Sequence, residues 1–238
     1  MATLKLNKHM SIKNSHISVD CVIFGFDFEN LKVLFIEQKI DDTLEHELRL
    51  ALPGDLVNLD ENLDSAAYRV LTELTSIDKI YLKQFRAFGN PNRLKNEKDQ
   101  FWIKKVRANP DARVITIGYF TLVKMDDVAP KASSFAGNTH WVNIDEIPEL
   151  AFDHNQIVDQ AMATLREDLE YKQIGYDLLP KKFTLSQLQR LYEVVLGAKL
   201  DKRNFRKKMK KTEFVVPLNE KQQGVLHKPA QLFKFNKS

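Results

Sequence analysis

Apolar positions follow two different rhythms along this chain. Ile17–Phe26 and Leu31–Glu37 are runs rich in Val, Ile and Phe on either side of Asp27–Asn30, which predicts a β-hairpin. Further strands are expected at Tyr81–Phe88, Arg113–Val123 and His140–Ile144. Between and after them, Asp64–Leu74 and Asn155–Glu170 space their apolar residues three and four apart and read as helices. Strands that enclose helices in this order indicate an α+β domain. The stretch Asn90–Arg113 is too long and too polar for a hairpin turn, so a lid or a short inserted helix is expected there, packed through Phe101 and Trp102.

The last quarter has its own pattern. Thr184–Gly197 sets Leu185, Leu188, Leu191, Tyr192 and Val195 on one helical face, with Thr184 and Gln187 at capping-box spacing and Gly197 as the stop. After a short connection, Asp201 is placed to cap a second helix, KRNFRKKMKK, in which Phe205 and Met209 lie one turn apart and face inward. Glu213–Pro217 and Gln231–Phe235 then read as two short strands joined by a polar loop carrying Lys221, Gly224, His227 and Lys228. Two helices, a tight turn and a strand pair make a winged helix-turn-helix. Gly175–Lys182, with Pro180, is the expected linker before it.

Charge tells the two parts apart. From Lys181 to Ser238 there are fifteen Lys and Arg against four Asp and Glu, whereas the first 180 residues hold twenty-one basic and twenty-eight acidic groups. A basic end of this kind points to a polyanionic partner. On the second helix, Arg203, Arg206, Lys207 and Lys210 project opposite Phe205 and Met209, and with Lys202, Asn204 and Lys228 they form the candidate DNA-binding set. Lysines and arginines neutralise phosphates, arginine can pair with guanine and asparagine with adenine, so the stripe suits a major groove. A membrane-surface helix would need a broader apolar face than Phe205 and Met209 provide.

A hydrophobic share of 43% is enough for a packed core, no apolar run is long enough for a membrane span, and MATLKLNKHMSIKNSH lacks the apolar stretch of a signal peptide. A cytoplasmic protein is therefore expected. The single cysteine, Cys21, lies in an apolar run and excludes an intramolecular disulfide. Histidines at 9, 16, 46, 140, 154 and 227 show no metal-binding helical spacing, so neither a metal nor a cofactor is expected.

One stretch carries a recognisable motif. Leu52–Ile77, LPGDLVNLDENLDSAAYRVLTELTSI, resembles a Nudix box, the loop and helix with which Nudix hydrolases hold divalent metals over a diphosphate. Gly54, Glu61 and Arg69 fall on motif positions if one extra residue is allowed in the spacer, and Glu73 keeps the first of the paired glutamates. Val70 and Leu74 replace two others, Asp55 and Ser76 replace glycines, and a magnesium site cannot be built on hydrocarbon. The degenerate box predicts no catalytic residues and leaves Glu61 and Arg69 as a salt bridge tying loop to helix.

A degenerate Nudix domain followed by a basic winged helix resembles the Nudix-related transcriptional regulators of bacteria. LAFDH at Leu150–His154 and the helix pair within 181–210 carry the likeness beyond the box. The resemblance implies an α/β/α Nudix fold at residues 15–152 after a flexible tail at 1–14, a connecting helix and linker at 153–182, and a winged helix-turn-helix at 183–238. It implies a homodimer on double-stranded DNA with a palindromic operator, sensing a small-molecule effector, a pentose or ADP-ribose, in the Nudix cleft. Arg86, Asn90, Asn92 and Arg93, at the entry to the long excursion, are the candidate ligand-binding residues. The alternative is an active Nudix hydrolase cleaving ADP-ribose or a related nucleoside diphosphate with magnesium.

Overall fold

The structure, a computed structural model, describes residues 12–38, 49–77, 80–125, 130, 136–171, 178–224, 226 and 228–236. Most of the expected N-terminal tail, the first three residues of the Gly175–Lys182 linker, and His9, His46 and His227 lie outside the described residues.

A seven-stranded mixed sheet dominates the first part. Its strands are β1 (Lys13–Phe26), β2 (Leu31–Gln38), β3 (Leu50–Ala51), β4 (Gly54–Asn58), β5 (Lys83–Phe88), β6 (Ile115–Lys124) and β7 (Ala136–Asn143). The path runs β3-β2-β1-β6-β5, with β4 paired to β1 and β7 to β2. β1 and β6 run parallel from Ile17 opposite Ile115 to Phe26 opposite Lys124, and the β1–β2 turn is closed by the Asp27 carboxylate, which accepts the backbone N–H groups of Glu29 and Asn30 at 3.0 and 2.7 Å.

The alternation along β1 explains the layers. Val19, Cys21 and Ile23 face one side and pack on α1 (Leu63–Thr75) through Ala66, Ala67, Val70, Leu71 and Leu74. Val22, Phe24 and Phe26 face the other side and pack on α3 (His154–Tyr171) through Ile157, Val158, Ala161 and Leu165. Helices therefore cover both faces, which is the α/β/α arrangement expected. The long excursion holds α2 (Glu97–Val106), capped by Asn96, whose side chain accepts the N–H of Lys98.

The second part is a winged helix. α4 (Leu185–Leu196) begins with the capping box of Thr184 and Gln187 and ends at Gly197, whose φ of 67° is the left-handed conformation glycine adopts without penalty. α5 (Lys202–Lys210) is capped by Asp201 and buries Phe205 and Met209. Strands β8 (Phe183–Thr184), β9 (Val215–Lys221) and β10 (Gln231–Phe235) form a sheet in the order β8-β10-β9.

No gap separates the cores of the two parts. One apolar cluster runs from Phe24 and Phe35 of the large sheet through Leu165 and Leu169 of α3 to Leu188, Leu191 and Phe205 of the winged helix. Polar links reinforce it: Arg166 Nε donates to the Val195 carbonyl at 2.8 Å and Arg190 Nε to the Glu29 carbonyl at 2.8 Å. Among the described residues, no helix is long and apolar enough to cross a membrane.

Boundaries shift where pairing rather than local pattern decides them. β1 starts at Lys13 because Lys13 pairs with Asn58, and β3, β4 and β8, absent from the sequence expectation, are short segments held by their neighbours. Replacing Thr184 by Ala is expected to destabilise the protein by about 1 kcal/mol in denaturant melts, while Thr184→Ser retains the cap and stays close to wild type.

Candidate functional site

The Nudix-like segment forms a tie between loop and helix. Gly54 opens β4 directly beside Asp20 of β1, and a Cβ on Gly54 would fall 1.9 Å from Asp20 Oδ1, so only glycine lets the two strands and that carboxylate coexist. Arg69 on α1 donates to Glu61 from Nε and Nη2, the latter at 2.7 Å, to Asp55 Oδ2 at 3.0 Å and to the Leu56 carbonyl at 2.9 Å. Burial pushes the Glu61 carboxyl up, but the Arg69 guanidinium and the Asn58 N–H outweigh it and hold Glu61 below its ordinary range.

The metal positions are used differently. Val70 and Leu74 lie on the inner face of α1, fully buried against the sheet, while Glu73 sits at the rim, 3.5 Å from Arg69. The three therefore do not converge on one point: α1 spends two of them on its core. Among the described residues, no group of three His, Cys, Asp or Glu side chains is arranged to hold a metal ion.

Beside this tie lies a cavity of about 320 Å³, walled by β1, the β3–β4 segment, α2 and the segment Leu150–His154. Arg93 is its best-held cation: Nε and Nη2 meet the two oxygens of Asp153 at 2.9 and 2.8 Å, and Nη2 also reaches Asp20 Oδ2 at 3.4 Å. His154, the first residue of α3, is fully enclosed. Its Nδ1 accepts the backbone N–H of Leu52 at 2.9 Å, which places the ring proton on Nε2, 3.5 Å from Asp20 Oδ1. Burial lowers the His154 pKa against the opposing pull of Asp20, so the ring is neutral.

Aromatic residues form the remaining wall. Phe152 has a φ of 58°, a left-handed conformation that costs a non-glycine residue on the order of 1 kcal/mol. Its backbone N–H donates to Asp99 Oδ2 at 3.0 Å, and Asp99 in turn takes Arg49 at 2.6 Å, so α2 is pinned to the turn before α3. The Phe152 ring packs on Trp102 of α2 and on His154, with centroids 5.8 and 5.1 Å apart.

Of the four ligand candidates read from the sequence, Arg93 lines the cavity. Asn90 and Asn92 build the turn that delivers it: Asn90 Oδ1 accepts the N–H of Asn92 at 2.9 Å, and the Asn90 carbonyl accepts that of Arg93 at 3.1 Å. Arg86 instead bonds Gln160 on α3, away from the cavity. Asp20, Trp102, Arg107, Phe152 and His154 line it without having been singled out as ligand residues. One signal was available for Asp20, a lone charge within the apolar run of β1.

Six of the DNA-binding candidates share one helix. Lys202, Arg203, Asn204, Arg206, Lys207 and Lys210 are exposed on α5, whose Phe205 and Met209 are buried, and Lys228 is exposed on the loop between β9 and β10. Such a helix can lay cations along both phosphate walls of a groove.

Comparison with known proteins agrees with this division. Residues 175–235 match the family described as the NrtR DNA-binding winged helix domain. The chain is 31% identical over 223 residues, 92% of its length and 81% of the relative's, to the ADPR responsive transcriptional repressor NtrR of Acinetobacter baylyi. Among solved structures, Shewanella oneidensis NrtR complexed with a 27mer DNA superposes with a TM-score of 0.67 at 24% identity, covering 92% of this chain and 93% of that one. A MutT/nudix family protein from Enterococcus faecalis superposes with a TM-score of 0.70 at 21% identity, covering 98% and 90%.

The buried histidine makes stability depend on pH. Its folded pKa lies below the unfolded value of about 6.5, so the unfolded chain binds the extra proton, and stability present above pH 6.5 is lost as pH falls below it. Denaturant melts from pH 7.5 to 5 are expected to show this loss in wild type. The amide oxygen introduced by His154→Asn can still accept the Leu52 N–H but does not titrate, and that variant is expected to give a flatter profile over the same range.

Proposed function

Because the chain belongs to the family represented by the ADPR-responsive transcriptional repressor NtrR, we propose that it is a cytoplasmic transcriptional regulator that binds operator DNA through α5 and senses ADP-ribose in the cavity beside Arg93. The observation that carries this reading is the exposed cationic face of α5 on a complete winged helix. Arg203 and Arg206 are the residues assigned to base and phosphate contacts, Lys202, Lys207 and Lys210 to the groove walls, and Lys228 to the wing.

Residues 15–152 serve as sensor, 153–182 as connection and 183–238 as DNA-binding domain. A homodimer would present two α5 helices about 34 Å apart and so require a palindromic operator. α3 starts at the cavity with Asp153 and His154 beside it and packs farther along on α4, so a ligand that prefers one placement of its first turn shifts the winged helix with it. Hydrolysis finds little support, because Glu61 is engaged by Arg69 while Val70 and Leu74 belong to the core.

Two measurements test the proposal. Replacing Arg203 and Arg206 by Ala is expected to weaken operator binding in gel-shift assays by at least tenfold, since each lost base contact costs about 1–3 kcal/mol; undiminished binding refutes the assignment of α5. ADP-ribose at about 100 times its Kd is expected to add about 2.7 kcal/mol to stability and to displace the operator-binding curve, whereas unphosphorylated pentoses do neither.

A further inference from the structure

The charges around the cavity are paired with one exception. Arg93 is met by Asp153 and Asp20, Lys13 by Asp55 at 2.6 Å, and Arg69 by Glu61 and Asp55. Arg107 also lines the cavity, yet no ion pair joins it to any described residue, and its Nη1 is buried without a hydrogen-bond partner among them. Burial pushes its pKa down against the attraction of Asp20, and the positive charge of Arg93 lowers it further against the smaller attraction of Asp55. A fold gains little by half-burying a guanidinium with one N–H group unpaired, since taking charge out of water without a partner is costly.

Its setting suits a role in binding. Arg107 terminates α2, where its backbone N–H donates to the Ile103 carbonyl at 2.9 Å, and the negative end of a helix dipole steadies a cation. Its planar fork matches two oxygens of a phosphate, a pairing lysine cannot reproduce. Asp20, which also lines the cavity, is met among the described residues by Arg93 and His154 at 3.4 and 3.5 Å, which leaves its oxygens able to accept a hydroxyl.

We propose that Arg107 is the phosphate anchor of the cavity, the residue that selects phosphorylated over unphosphorylated ligands, with Asp20 facing the hydroxyls of the attached sugar. The proposal rests on the reading of this cavity as the effector site and adds to it the residue that sets ligand class. It also explains why an arginine is kept at this place: the guanidinium has no ion-pair partner among the described residues, and a ligand phosphate supplies one.

Titration calorimetry with ADP-ribose and with adenosine, on wild type, Arg107→Met, Arg107→Lys and the control Lys104→Met, tests it. Lys104 is exposed on the same helix. Wild type and Lys104→Met are expected to prefer ADP-ribose strongly. Arg107→Met is expected to lose on the order of 30-fold or more in ADP-ribose affinity with little change for adenosine, and to melt no lower than wild type without ligand. Arg107→Lys, which keeps the charge and loses the fork, is expected to fall between the two, and it carries the test if Arg107→Met does not fold.

ADP-ribose binding by Arg107→Met as tight as by wild type overturns the assignment of Arg107 and leaves the effector reading standing. So does a parallel loss for both ligands with a lowered melting temperature, which is the signature of a merely structural arginine. Wild type that binds neither ligand overturns the effector reading as well.

Discussion

A buried ionic bridge holds the first half in register. Asp20 from the central strand, Arg93 from the loop before α2, and Asp153 from the turn before α3 meet inside the protein, and Arg93 is nearly as enclosed as the apolar residues around it. Burying such charges costs several kcal/mol per ion, which their mutual attraction offsets only when geometry is good, so the bridge contributes more to position than to net stability. It sets where α3 begins. The Leu52 N–H on His154 and the Asp99 carboxylate on the Phe152 N–H fix the same turn from two other directions.

That placement matters because α3 belongs to both halves. Its inner face closes the large sheet, Lys83 of β5 pairs with Asp168 on it, and its Arg166 caps a carbonyl near the end of α4. The element that starts at the cavity is thus the one on which the winged helix rests. Degeneration of the Nudix box fits this economy: Val70 and Leu74 strengthen the opposite layer, and Arg69 with Glu61 ties the loop to the helix without the box's metal ligands.

Much of the fold was legible because its signals are local. The capping pair Thr184 and Gln187, the stop at Gly197, the cap at Asp201 and the inward pair Phe205 and Met209 all act within a few residues of themselves. The two-residue strands β3 and β8 carry no such signal, since they exist through pairing with β2 and β10. The cavity was legible in part for the same reason. Arg93 was reached through its place at the mouth of the excursion, but Arg86, Asn90 and Asn92 are equally polar, and only the packing of α3 separates the one that is enclosed from those that are not. His154 acquires its role from Leu52, about a hundred residues away, and no periodicity records such a partner.

The apolar cluster that passes unbroken from the sheet through α3 to Phe205 bears on how this DNA-reading module can be exchanged between scaffolds. A graft cut just before Phe183 would strip Leu188 and Leu191 of the helix they lean on and leave a greasy scar on both pieces. The natural suture lies upstream, at Asp153, so a chimaera carrying α3 along inherits a finished surface.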